Sequence, residues 1–189
     1  MTSEKVLILP GWLNSGPQHW QSLWERAHGY ERVLQHDWQR PLRGDWITRL
    51  EDVILALPEE QPISLVAHSL GCHLVAAWAA VSLSAHRVSA ALLVAPPDVS
   101  RDDFPADMHS WRQPVLTPLP FAAACVLSSD DPFASAEAGR QLAAAWGAHC
   151  IDIGPRGHIN GDSGLGDWAQ GHEWLLALQR QNRSTHETK

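Results

Sequence analysis

The chain is poor in basic charge, in pairable cysteines and in long apolar runs, and each shortage excludes something. With 14 Lys and Arg against 21 Asp and Glu, a formal charge of −7 and no basic cluster, it lacks the positive face that grips a phosphate backbone. Nucleic acid is therefore not an expected partner. No segment approaches the roughly 18 to 20 apolar residues of a membrane-spanning helix, and MTSEKVLILPGW is too short in apolar residues and lacks a cleavage site for a signal peptide. These features point to the cytoplasm and away from membranes. Cys72, Cys125 and Cys150 are odd in number, lack metal-type spacing and lie in apolar surroundings, so they read as reduced and structural. Neither G-x-G-x-x-G nor G-x-x-x-x-G-K-[ST] occurs, and the GLG at 164–166 is too short to cradle a nucleotide.

What is present is a composition, 44% apolar and 19% charged over 189 residues, that suits one globular domain with a substantial core. Ten tryptophans run from Trp12 to Trp174 without a fixed period and read as core or pocket wall. Short Val/Ile/Leu-rich runs alternate with segments of helical period, the pattern of a parallel sheet covered on both faces. Strands are predicted at Lys5 to Leu9, Arg32 to His36, Ile63 to Ala67, Val88 to Ala95, Ala124 to Ser128 and His149 to Ile153. Helices are predicted at His19 to Ala27, Asp45 to Leu57, Leu70 to Ser82, Ala134 to Trp146 and Asp167 to Gln181. Asp45 is the predicted N-cap of the second, with Trp46, Leu50, Val53, Ile54 and Leu57 as its apolar stripe. The domain is taken as residues 1–181, and 182–189 as a polar, frayed tail. Pro96 to Pro120 is aperiodic, and a connection of that length is usually functional or mobile.

The chemistry concentrates in VAHSLGCHLV, residues 66–75. His68 and Ser69 fall in the turn between a buried strand and a helix, where open α/β sheets keep their sites. Ala67, Ser69 and Gly71 form a small-x-Ser-x-small pattern, and small neighbours are what a sharply turned, outward-pointing serine needs. The helix dipole and the free N–H of Leu70 would favour an oxyanion there. The alternative is a serine that only caps its helix. His68 is adjacent and diverges from Ser69, which leaves it a supporting, substrate-facing or packing role.

A serine hydroxyl becomes a nucleophile when a histidine takes its proton and a carboxylate holds that histidine. In this architecture both follow later strands, in the order Ser, Asp or Glu, His. SDDPF supplies Asp130 and Asp131, and GPRGHIN supplies His158 in a glycine-flanked loop. Spacing alone leaves the two aspartates equivalent, and either could instead cap a helix or an Asx-turn. In PGWLNSGPQHW, after the first strand, the N–H of Trp12 is the candidate second oxyanion donor, followed by that of Leu13.

VLILPGW with SGPQHW, VAHSLG, SSDDPF and GHINGDSGLGDW together resemble the small α/β-hydrolase family of YdeN-like proteins and the retinoblastoma-binding serine hydrolase. The resemblance covers nearly the whole chain. It implies a compact core with six mostly parallel strands in the order 2-1-3-4-5-6, helices on both faces and no full cap domain. It also implies a triad of Ser69, Asp131 and His158, with Asp131 rather than Asp130 as the acid. The implied site is open and shallow, with Trp12, His68, Phe104, Met108 and Trp111 as substrate-binding residues. A retinoblastoma-type partner is not implied, because LGCHL at 70–74 lacks the glutamate of L-x-C-x-E. The expected activity is cleavage of small carboxylic esters or related acyl compounds without metal or organic cofactor. A protein-interaction module on the same scaffold and an acyltransferase are the alternatives.

Overall fold

The structure is a computed structural model that describes residues 4–187. Its elements are β1 (Lys5–Leu9), α1 (Trp20–His28), β2 (Glu31–Arg32), α2 (Arg43–Ala56), β3 (Ile63–His68), α3 (Leu70–Ala79), β4 (Val88–Val94), β5 (Ala122–Leu127), α4 (Ala136–Trp146), β6 (His149–Asp152) and α5 (Ala169–Glu187). All six strands are parallel, in the order β2-β1-β3-β4-β5-β6, as the resemblance implies.

Alternation along the strands divides the core in two, because successive side chains leave a sheet on opposite faces. Leu7, Leu9, Leu65, Ala67, Leu93 and Cys125 point to the face covered by α2, α3 and α4, where Trp46, Leu50, Trp78 and Trp146 are buried. Val6, Ile8, Val66, Leu92, Val94 and Val126 point to the other face, under Trp20 and Trp24 of α1 and Leu175 and Leu178 of α5. Leu9 pairs with Ala67, His68 with Val94 and Leu127 with Asp152. Five strand ends therefore reach one rim, and the loops that follow them converge there.

Several elements differ from the sequence expectation. β2 ends at Arg32, well short of His36, and only Leu7 and Ile8 of β1 pair with it. α2 begins at Arg43 rather than Asp45: its N-cap Leu42 offers no side-chain acceptor, and Ser110 Oγ accepts the Arg43 N–H from across the fold. Asp45 lies instead in the first helical turn, where a negative charge suits the helix N-terminus. α3 stops at Ala79, and α5 runs on through Glu187, past Gln181. Cys72 and Cys125 are buried, whereas Cys150 is exposed on β6, contrary to its apolar reading.

The Pro96 to Pro120 connection is not a loose flap. A short 3₁₀ segment, Ala106–Trp111, buries Met108 and Trp111 in the α2–α3–α4 core. Trp111 lies 5.6 Å from the ring of Trp46 and donates its indole N–H to the Pro41 carbonyl at 2.8 Å. No helix among the described residues is long and apolar enough to cross a membrane.

Candidate active site

Ser69 sits between β3 and α3 with φ 55° and ψ −125°, a sparsely populated positive-φ conformation that a residue with a Cβ adopts at a cost of about 1 to 3 kcal/mol. Its N–H donates to the Val94 carbonyl at 2.9 Å and its carbonyl accepts from Cys72, so the strand end and the helix start fix the turn. Its side chain makes no capping bond, which removes the helix-cap alternative. The small neighbours have specific causes. A Cβ on Gly71 would come within 2.3 Å of the Leu9 carbonyl oxygen. One on Gly11 would lie 2.7 Å from Ser69 Cβ and 3.1 Å from the Leu70 nitrogen, so the loop after β1 rests directly on the serine turn.

The loop after β6 brings His158 to the same point. His158 Nε2 is 2.9 Å from Ser69 Oγ, and its Nδ1 is 2.9 and 3.0 Å from the two carboxylate oxygens of Asp131. Both side chains are nearly buried, 9% and 4% exposed, so little water competes for the pair. Asp130 does different work from its neighbour. Its carboxylate accepts from Ser128 Oγ at 2.8 Å and from the Gly157 N–H at 2.7 Å, which ties the start of the His158 loop to the end of β5. The Gly157 N–H and the Ser128 hydroxyl together hold its carboxyl below the ordinary range.

Above Ser69 opens a cavity of about 620 Å³, within the usual size of a small-molecule site. Of the residues expected to bind substrate, Trp12, His68, Phe104 and Met108 line it, together with Phe133, whose ring stands edge-on to His158 at 4.6 Å. Trp111 does not reach it. It is 1% exposed, and its burial against Trp46 makes it a support for the segment that carries Phe104 and Met108. His68 lines the cavity but is 4% exposed, and its Nε2 lies 2.8 Å from the backbone carbonyl of His158. Arg101 also lines the cavity: it clasps Asp103 at 2.8 and 2.6 Å and donates to the Pro132 carbonyl at 2.7 Å, linking the loop after β4 to the Asp131 turn.

The N–H groups of Leu70 and Trp12 have no acceptor among the described residues, whereas that of Leu13 donates to the Trp38 carbonyl at 3.1 Å. Leu13 is thereby removed as the reserve donor. Sequence reading missed Phe133 and His19. Phe133 directly follows the Asp-Asp-Pro turn, and its N–H donates to Asp131 Oδ1 at 2.9 Å. His19, in the QHW run, caps α1 with its ring: Nδ1 accepts the Gln21 N–H at 3.1 Å. An imidazole in that role has no sequence signal comparable to Ser, Thr, Asp or Asn.

A parallel sheet with a strained serine between its third strand and the following helix defines an α/β hydrolase. The chain belongs to the serine hydrolase family, whose pattern it matches over residues 6–177, and it is an enzyme of that type. Among solved structures it is similar to a YdeN-like hydrolase of Pectobacterium atrosepticum, with 26% identity, a TM-score of 0.79 and coverage of 95% of this chain and 92% of that one. It is similar also to the ydeN gene product of Bacillus subtilis, at 20% identity and a TM-score of 0.75, over 93% and 98% of the two chains. A carboxylesterase of Bacillus subtilis shares the fold at 13% identity and a TM-score of 0.62, over 93% of this chain and 83% of that one. No curated protein matches the chain.

Proposed function

We propose that the protein hydrolyses small, uncharged carboxylic esters or related acyl compounds through an acyl-enzyme on Ser69, with His158 as general base and acid and Asp131 as its partner. The observation that carries this reading is the unbroken relay, 2.9 Å at each link, from Ser69 Oγ through the His158 ring to Asp131, with Ser69 and His158 lining the cavity. The Ser69 hydroxyl donates to Nε2, and Nδ1–H donates to the carboxylate. Ser69 Oγ attacks the carbonyl carbon as its proton passes to Nε2. The imidazolium then returns that proton to the departing alkoxide, leaving the acyl group on Ser69. Water repeats the sequence and frees the acid, and Asp131 stays ionised throughout, holding the tautomer and stabilising the imidazolium.

The unbonded N–H groups of Leu70 and Trp12 are assigned to the oxyanion. Trp12, Phe104, Met108 and Phe133 favour an apolar acyl or alcohol part. Among the described residues the only Lys or Arg lining the cavity is Arg101, which is matched by Asp103, and this disfavours an anionic substrate. The chemistry calls on no metal or organic cofactor.

Hydrolysis of a graded panel of nitrophenyl esters tests the reading. Ser69→Ala should lower kcat by about four to six orders of magnitude with the fold retained, because triad members act as a unit. A fluorophosphonate should label the wild type at Ser69. Wild-type turnover that survives in Ser69→Ala, or folded protein without an adduct on Ser69, would overturn it.

A further inference from the structure

Three imidazoles are packed in a row beneath the cavity, and the hydrolytic relay uses only one of them. The ring of His68 lies 4.8 Å from that of His158, and the ring of His19 lies 4.6 Å from that of His68, each pair edge to face. Both extra rings are buried, at 4% and 6% exposure. Their partners fix where their protons sit. His68 Nε2 faces the His158 carbonyl at 2.8 Å, and a carbonyl only accepts, so His68 carries its proton on Nε2. His19 Nδ1 accepts the Gln21 N–H, so its proton is also on Nε2, where it has no hydrogen-bond partner among the described residues. The relay requires the opposite tautomer of His158, with Nδ1–H toward Asp131.

We propose that His68, braced by His19, is a positioning residue that fixes the His158 backbone through its Nε2–H, and that the pair works only as two neutral Nε2–H imidazoles. This rests on the triad reading of Ser69, Asp131 and His158. Adjacent residues of one turn then grip one histidine at two points: Ser69 at the ring, His68 at the main chain. That grip is needed because the His158 loop is irregular. Ile159 has φ 48° and Gly157 φ 58°, and no sheet or helix ladder holds the segment. A charged His68 would face two other imidazoles, His19 and His158, and would oppose the imidazolium that forms on His158 during turnover. Burial accordingly keeps both rings neutral: His68 titrates well below its ordinary range and His19 is pushed down to about 3, with Arg32 adding to the effect on His19.

Two measurements test the pair separately from the triad. In wild-type protein with ¹⁵N-labelled histidine, ring-nitrogen shifts at pH 7 should show His68 and His19 as neutral Nε2–H tautomers and His158 as Nδ1–H. An Nδ1–H or doubly protonated His68 would overturn the proposal without touching the triad. His68→Phe keeps a flat ring and removes the donor. It should lower kcat about 10- to 100-fold with KM within about twofold, the signature of a misplaced general base. His68→Gln, whose amide can donate to the same carbonyl, should recover most of that loss. A kcat within twofold of wild type in His68→Phe, or equal losses in the Phe and Gln variants, would overturn it. If the Phe variant does not fold, the tautomers and the Gln variant decide. Failure of the triad reading itself would instead appear as unchanged turnover in Ser69→Ala.

Discussion

The two faces of the sheet hold the site by different means. On the α2–α3–α4 face, Trp46, Leu50, Trp78 and Trp146 pack against Leu7, Leu65 and Leu93, and area removed from water supplies the stability. On both faces polar side chains reach backbone carbonyls, as Trp111 and Trp146 reach those of Pro41 and Val115 on the first, but on the α1–α5 face they reach the strand ends and the His158 loop themselves. Trp20 donates its indole N–H to the Ile159 carbonyl at 2.8 Å, His68 to the His158 carbonyl, and Gln21 to the carbonyls of Leu9 and Val66 at 3.3 and 3.1 Å. The first face holds the serine turn by volume. The second holds the histidine loop by direction, which suits a segment whose carbonyls have no ladder to join.

That difference predicts where damage separates. Trp78 is fully buried near the far end of α3 from Ser69, so Trp78→Ala should cost about 3 to 5 kcal/mol of unfolding free energy. Per folded molecule, turnover should stay near wild type; denaturant melts and active-site titration check both halves. Trp20→Phe removes one hydrogen bond and three ring atoms of a buried side chain, and should cost about 2 to 3 kcal/mol of stability. It should nevertheless lower kcat by about tenfold, through drift of the His158 loop. If Trp78→Ala reduces kcat more than Trp20→Phe does, the two faces do not divide labour in this way.

The same contrast governs what could be read from the residues. Strand alternation and helical stripes report burial directly, so five of the six strands and the apolar stripe of α2 fall close to where the sequence puts them. β2 failed because an edge strand is set by its partner, and β1 offers it only two residues. The start of α2 failed because its orphan N–H is met by Ser110, 67 residues away, which no local pattern records. At the site, Ser69 and His158 are legible because turn chemistry surrounds them. Trp111 was misread because an aromatic in an aperiodic segment looks like a pocket wall until its packing partner, Trp46, is known. The supporting bonds of His68 and Trp20 run from side chains to distant carbonyls, and that of His19 is a cap made by an imidazole, so none leaves a spacing to detect.

Acid should discriminate between the faces more finely. A buried histidine held neutral binds its proton in the unfolded chain near its ordinary value of 6.5 but only much lower when folded. Stability from such a group is fully present above pH 6.5 and falls as pH drops toward the folded value. The window runs down to about 3 for His19 and about 4 for His73, and His68 adds a third site depressed by burial. Each contributes a slope of about 1.4 kcal/mol per pH unit inside its window. His19 and His68 flank the His158 loop, whereas His73 lies on α3 against Trp146 and meets the Pro97 carbonyl through Nε2 at 2.8 Å. A proton on His68 would stand 4.8 Å, ring to ring, from the imidazolium of His158, a repulsion on the order of 3 kcal/mol at an effective dielectric of about 20. His73→Gln keeps a donor for Pro97 and removes one titrating site. Unfolding free energies measured from pH 7 to 4.5 should therefore fall less steeply by about one proton, with the acid limb of kcat unmoved. A shift of that limb in His73→Gln would show that protons on the apolar face also reach the chemistry.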